Sequence, residues 1–287
     1  MTDPGDAWAG TALSRRGLFG LGASTVGLAA VFAACGNEED SAPGRVGNAP
    51  VETDLPEGEV DDVVLLRTLT SLEHSIVAVY DALADIDGLG DDVATLLGRF
   101  TDDHEATASA YAELTSAAGG EPYECPNSWL MRRTLQPVLD HIIGGTVEGV
   151  EIPPTDDADR DSLATADALE TIAAATAQQY LERLTDPALR TEVIAAGTSA
   201  SRRAATSAMR ANPPPEGYVS PALTGGEDVA ADNEGLMPQF AISSRFGQLT
   251  PVTLVVGARD DVGQRFSTNI ETPAENAYVY AGQTCPA

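Results

Sequence analysis

His104 interrupts an apolar stripe. The segment 91–118 carries Val93, Leu97, Phe100, His104, Ala108, Tyr111 and Leu114 at helical spacing. At about 100° per residue the imidazole lies within roughly 20° of the stripe's centre. Segment 63–83 carries Leu65, Leu69, Leu72, Ile76, Val79 and Leu83 in alternating steps of four and three. Glu73 falls about 80° from the centre of that stripe, at its edge, with Tyr80 two turns along on the same side. In a third segment, 161–184, Leu169, Ala173, Thr176 and Tyr180 share a face, and Glu170 lies at its margin. An imidazole and carboxylates turned into a helical interior either bind something or form a buried, mutually hydrogen-bonded polar cluster. His74 points about 180° from its stripe and is expected in solvent. His141, beside Asp140 near a helix end, reads as a capping or surface group.

The elements that must position these residues are four long helices. The first two are joined by 85–90, a glycine-bearing stop and restart short enough to make them antiparallel neighbours. An insert, 121–154, follows Gly119-Gly120 and contains an expected helix over 128–143, interrupted by Pro137. The third helix ends near Leu184. Asp186 as a cap and Pro187 in a first turn restart the chain into the fourth, 188–211. Its inward residues, Leu189, Val193, Ala196, Ala200 and Ala204, are small enough for close approach. Short links in two places and a longer crossover between the second and third helices predict a mainly α fold, a ferritin-like four-helix bundle over 63–212. Beyond it, 251–258 reads as a buried strand, 259–263 as a turn and 264–270 as a second strand, with 276–280 a candidate third. An isolated hairpin is marginal in water, so this C-terminal β extension, 213–287, must pack on the bundle. Tyr278 and Tyr280 are expected to pack rather than bind.

The N-terminus reads as an address. Arg15-Arg16, a weakly apolar run over 18–34 and Phe32-Ala33-Ala34-Cys35 follow one another. The order resembles a twin-arginine export signal closed by a lipobox, with residues 1–34 removed and Cys35 acylated. An uncleaved anchor is the alternative, since 17 apolar residues is the bottom of the spanning range. Both place the domain at the cell membrane on its extracytoplasmic face. Residues 35–62 hold nine acids against Arg45 and no periodic apolar face, the composition of a solvated tether. With Cys35 lipidated, Cys125 and Cys285 remain, and outside the cytoplasm they are expected to pair. Closing so long a loop stabilises by up to about 5 kcal/mol on the chain-entropy model.

The chain has 287 residues and a formal net charge of −28, and every one of its 16 basic residues is arginine. The first 34 residues balance to zero, so the whole charge lies downstream. Such a surface repels nucleic acid and anionic headgroups. The membrane is therefore reached only through the lipid, and the remaining partner candidates are a second copy or another envelope protein. There is no Gly-x-Ser-x-Gly, phosphate loop, zinc-spaced Cys/His set or dinucleotide fingerprint. A solute receptor would need alternating strands and helices, which the pattern lacks.

Several stretches in order resemble bacterial exported ferritin-like domain proteins. They are Thr70-Ser71-Leu72-Glu73-His74 with Tyr80, Phe100 with Asp103-His104-Glu105, Thr185-Asp186-Pro187-Ala188-Leu189-Arg190, and Phe246-Gly247-Gln248-Leu249-Thr250-Pro251-Val252. The resemblance spans roughly residues 63–282. It implies a two-metal centre built from a Glu on each of two helices and a Glu-x-x-His on each of the others. Carried over, Glu73, His104 and Glu170 are the metal-ligand candidates, for iron or manganese. The departures weigh against a full centre. Thr101, not Glu, stands three residues before His104. Where relatives often read Glu-Ala-Arg-His-Ala-Ala, this chain reads Ala200-Ser201-Arg202-Arg203-Ala204-Ala205. The expectation is a degenerate metal site in a non-catalytic protein that binds a partner or small ligand, with Glu73, His104 and Arg203 as a buried polar cluster. The alternative is a metal-dependent redox or metal-binding protein.

Overall fold

Asp61 starts the first helix, α1 (Asp62–Ala84), by accepting the Val64 amide at 2.9 Å, which satisfies one of the unpaired donors of a first turn. The computed structural model describes residues 59–211, 252–271 and 274–286. The expected export signal at Arg15 and Arg16, the expected acylation site at Cys35, the tether up to residue 58 and residues 212–251 lie outside the described residues. Asp61 and Asp62, expected in the tether, belong to the folded part. The Asp62 carboxylate accepts Thr185 N at 2.8 Å, Thr185 Oγ1 at 2.7 Å and Asp186 N at 3.3 Å, tying the start of α1 to a distant turn.

By length and composition α1 would suffice to cross a membrane, but 78% of its most apolar window is buried inside the fold. It is a core helix, and its predicted stripe of Leu65, Leu69, Leu72, Ile76, Val79 and Leu83 is buried throughout. The chain turns through Gly88, at φ 84°, into α2 (Asp91–Ala117). The Gly90 amide donates to Asp159 Oδ1 at 2.7 Å and so fixes this turn to α4 (Ala158–Tyr180). Asp186 accepts the Ala188 amide at 2.8 Å and Pro187 opens α5 (Pro187–Ala211), as the sequence predicts. α1 packs along α2, α4 packs along α5, and α1 and α2 both touch α4. The second pairing is close because of Gly197: a Cβ there would sit 2.8 Å from Ala177 Cβ.

Between α2 and α4 the chain makes a helical turn (Ser128–Leu130), a π-helical turn (Met131–Leu135) and α3 (Gln136–Ile143). The sequence predicts an interruption at Pro137. The backbone remains helical by widening: Gln136 N–H reaches back five residues to Met131 O, and a widened turn makes room for a ring that would crowd an α-helical carbonyl. A short hairpin follows, β1 (Gly145–Val147) and β2 (Val150–Ile152). Its turn residues Glu148 and Gly149 both have positive φ, as a type I′ turn requires. No alternating pattern in the insert announces it.

The C-terminal part is an antiparallel pair, β3 (Val252–Val256) and β4 (Phe266–Ile270), both shorter than expected. Val252, Leu254 and Val256 face inward, where β3 packs on α4. The candidate third strand is absent: residues 275–277 form a 3-10 turn, and Asn127 Nδ2 donates to Ala277 O there at 2.8 Å. Tyr278 stacks on Tyr180 at 6.1 Å, with Tyr280 at its edge. Four devices fasten this part to the helices. The buried Arg67 donates to three carbonyls, those of Glu121, Val279 and Gln283. Thr68 Oγ1 accepts Val279 N at 2.9 Å. Asp161, fully buried, accepts Gly257 N at 2.7 Å and an Arg265 guanidinium N–H. Cys125 and Cys285 form the expected disulfide, 160 residues apart in sequence.

Candidate functional site

Four helices each deliver one charged side chain to the same place in the interior. α1 supplies Glu73, α2 His104, α4 Glu170 and α5 Arg203. His104 and Glu170 are fully buried, and Glu73 and Arg203 are 4% and 7% exposed. The imidazole bridges the two carboxylates: Nδ1 faces Glu73 Oε2, and Nε2 lies 2.8 Å from Glu170 Oε1. Glu170 carries most of the network. Its Oε1 also accepts the Tyr80 hydroxyl at 2.9 Å, and its Oε2 accepts Arg203 Nε at 2.9 Å. Phe100 roofs the cluster, its ring 6.0 Å from the Arg203 guanidinium and 6.3 Å from Tyr80.

The protonation state follows from this geometry. A neutral imidazole has one N–H and one lone pair. A lone pair aimed at a carboxylate would be repelled, so carboxylates at both nitrogens call for N–H at both. Burial alone disfavours the imidazolium, but the charges and hydrogen bonds of Glu170 and Glu73 outweigh it and raise the His104 pKa to about 9. Burial first, and then the Glu170 carboxylate, push the Tyr80 hydroxyl well above its ordinary value, so it stays a neutral donor. The formal charges of Glu73, Glu170, His104 and Arg203 sum to zero. Two anions and two cations satisfying one another avoid the several kcal/mol that each unpaired buried charge would cost. The exposed Asp103, 3.7 Å from Arg203, adds little.

The same geometry tests the metal centre that the family resemblance implies. A metal needs a neutral imidazole with a free lone pair, and each His104 nitrogen already faces a carboxylate oxygen. Glu73 and Glu170 approach different nitrogens of one ring, so their oxygens do not converge on a common point. The guanidinium of Arg203 lies on Glu170 and would repel a dication. At the position one turn earlier Ala200 is buried and offers no ligand. Among the described residues no group of three His, Cys, Asp or Glu side chains is arranged to hold a metal ion. The donor set therefore does not fit the group in this arrangement.

No protein-family model, curated protein or solved structure matches the chain.

The structure thus brings Glu73, His104 and Glu170 together, with Arg203 among them. The other two histidines differ from expectation. His74 is half-buried rather than solvated, and its pKa is lowered, burial opposing the nearby acids. His141 is not a cap: its Nδ1–H donates to Pro137 O at 2.8 Å, and its ring stacks on Phe266 at 3.9 Å. The sequence reading missed a second buried charge centre at Asp161. Besides Gly257 and Arg265, it accepts Arg160 Nε at 2.9 Å and Thr155 Oγ1 at 2.6 Å. Its signal was present. Asp161 shares a helical face with Thr165, Ala168 and Ile172, all buried, and a carboxylate on such a face needs partners.

Proposed function

We propose that this chain is an extracytoplasmic, lipid-anchored protein whose ferritin-like four-helix bundle has a degenerate metal site and acts without catalysis, by binding a partner or small ligand. One observation carries the reading: Arg203 is seated on Glu170 while His104 is bound at both nitrogens. Arg203 stands where the related motif has a metal-binding histidine, and the resulting cluster is electrically complete without an ion. Ordered recurrence of the export, lipobox and helix motifs supports the location and the family.

Elemental analysis of the full chain, folded in medium supplemented with iron and manganese, tests this. The expected result is far less than one metal per chain and a thermal midpoint unmoved by a chelator. Near-stoichiometric metal that disappears in His104→Ala would overturn the reading and leave the metal-dependent alternative standing. The anchor has its own check in the same cells: metabolic labelling with a fatty acid should mark the chain and fail to mark Cys35→Ala.

A further inference from the structure

The interior cluster leaves the question of what the domain binds, and a cleft on the surface of the described residues bears on it. An open cleft of about 570 Å³ lies between the β1–β2 hairpin and the loop from β3 to β4, within the size range of ligand and peptide sites. The stacked His141 and Phe266 rings line it, together with Ile152.

Both walls are braced. The loop 258–264 is held by Asp260 Oδ1, which accepts Val262 N at 3.0 Å and Gln264 N at 2.7 Å. Asp260 N donates to Gln264 O, and Arg259 Nη1 donates to Gly263 O at 2.8 Å. Below it, Gly257 lies so close to α3 that a Cβ would meet His141 O at 2.9 Å. The opposite wall is the I′ turn with Val150 beside it. Val150 on the hairpin wall is 64% exposed, and Val262, next to the lining residue Asp261 but outside the lining itself, is 78% exposed. Among the described residues these are the two most exposed large apolar side chains, and Ile143, 45% exposed, stands two residues beyond His141. The hydrogen bonds within the loop hold the lining residues Asp260 and Asp261 in place, which lowers the ordering cost of a contact there.

The charges choose the occupant. Exposed Glu151, Asp260 and Asp261 line the cleft. Of the two arginines, Arg265 is paired with the buried Asp161, while Arg259 donates to Gly263 O and keeps its charge, so three acids face one unneutralised cation. A second copy would bring another −28 charge to the contact and is disfavoured. We infer that the cleft between the two hairpins docks an extended, cationic and apolar peptide segment of another protein, with apolar side chains against Val150, Ile152 and the His141–Phe266 floor and basic side chains against Glu151, Asp260 and Asp261. Extended peptides engage short strands and grooves in this way.

This deepens the non-catalytic reading and rests on it only for the idea that a partner exists. Metal content is measured separately, so either can fail alone. The test titrates the full chain at low ionic strength with a short capped peptide alternating valine and arginine, and with a control alternating serine and arginine. The valine peptide should bind more tightly than the control. The variant Val150→Asp should weaken it by about tenfold, even though the added acid favours a cation. Glu151→Gln with Asp261→Asn should weaken both peptides. Equal binding of the two peptides, binding unchanged in the valine variant, or no binding would overturn the inference. So would self-association of the chain that the valine variant abolishes.

Discussion

His104 is held as a cation by two carboxylates that arrive from helices on either side of it, and this makes a local interaction visible in the stability of the whole fold. Its folded pKa of about 9 lies above the ordinary histidine value of about 6.5. The protonated ring therefore contributes stability that is fully present below about pH 6.5 and is lost as pH rises through about 9. Urea titrations between pH 6 and 10 should show the midpoint falling across that window. In His104→Phe, which has no proton to lose, the fall should be absent or much smaller. A midpoint that falls equally in both proteins would place the effect elsewhere. The sequence made much of this cluster legible at the residue scale: His104 in a stripe and Glu73 at a stripe's edge are angular facts, and Arg203 stood out as a departure from the motif the chain resembles. The pairing was not legible. Which nitrogen meets which carboxylate depends on the rotation of four helices to within a few ångströms, and the spacing of a single helix does not contain that.

At the scale of elements, the close seam between α4 and α5 depends on one absent methyl group. Gly197→Ala would gain up to about 1 kcal/mol in helix propensity, but its Cβ would stand 2.8 Å from Ala177 Cβ, an overlap of the kind that costs about 1–3 kcal/mol. Gly197→Val adds bulk without the propensity gain. The expected order of thermal midpoints is wild type, then Ala, then Val, and a Val variant as stable as wild type would mean that the seam is loose. Several helix ends were readable because they are chemical: Asp186 and Pro187 open α5, and Gly88 turns the chain, whereas Asp61, the cap of α1, was hidden among the acids of the tether. The π-turn before Pro137 and the β1–β2 hairpin were not. Both are local solutions imposed by neighbours, the first by a ring without an amide proton, the second by three-residue strands too short to show alternation. The third strand expected over 276–280 failed for a related reason. Tyr278 and Tyr280 alternate as a strand would, yet the carbonyls and amides of this stretch bond to Arg67, Thr68 and Asn127 rather than to another strand.

For the molecule as a whole, the interior is neutral and the surface carries the −28 charge. Self-repulsion of that size opposes compaction and is screened by salt, with a Debye length of about 10 Å at 0.1 M. The thermal midpoint should rise steadily as sodium chloride is raised from low concentration to molar levels, while the pH window assigned to His104 should move little, because its partners are buried. A salt-independent midpoint would show that the exposed acids are far enough apart to ignore one another. Composition alone announced this property; it did not announce that the fold closes upon itself through residues far apart in the sequence.

That closure decides how the domain responds to being pulled. Asp62, the first residue of α1, grips the turn at Thr185 and Asp186 through both carboxylate oxygens. A tug arriving from upstream of residue 59 therefore does not peel one helix away from its end. It is shared at once between the two helix pairs and loaded in shear, the direction in which packed helices yield last, while Cys125–Cys285 keeps the far terminus from unravelling. A body with such a strain-relief knot at the head of its first helix is suited to bearing load from that side.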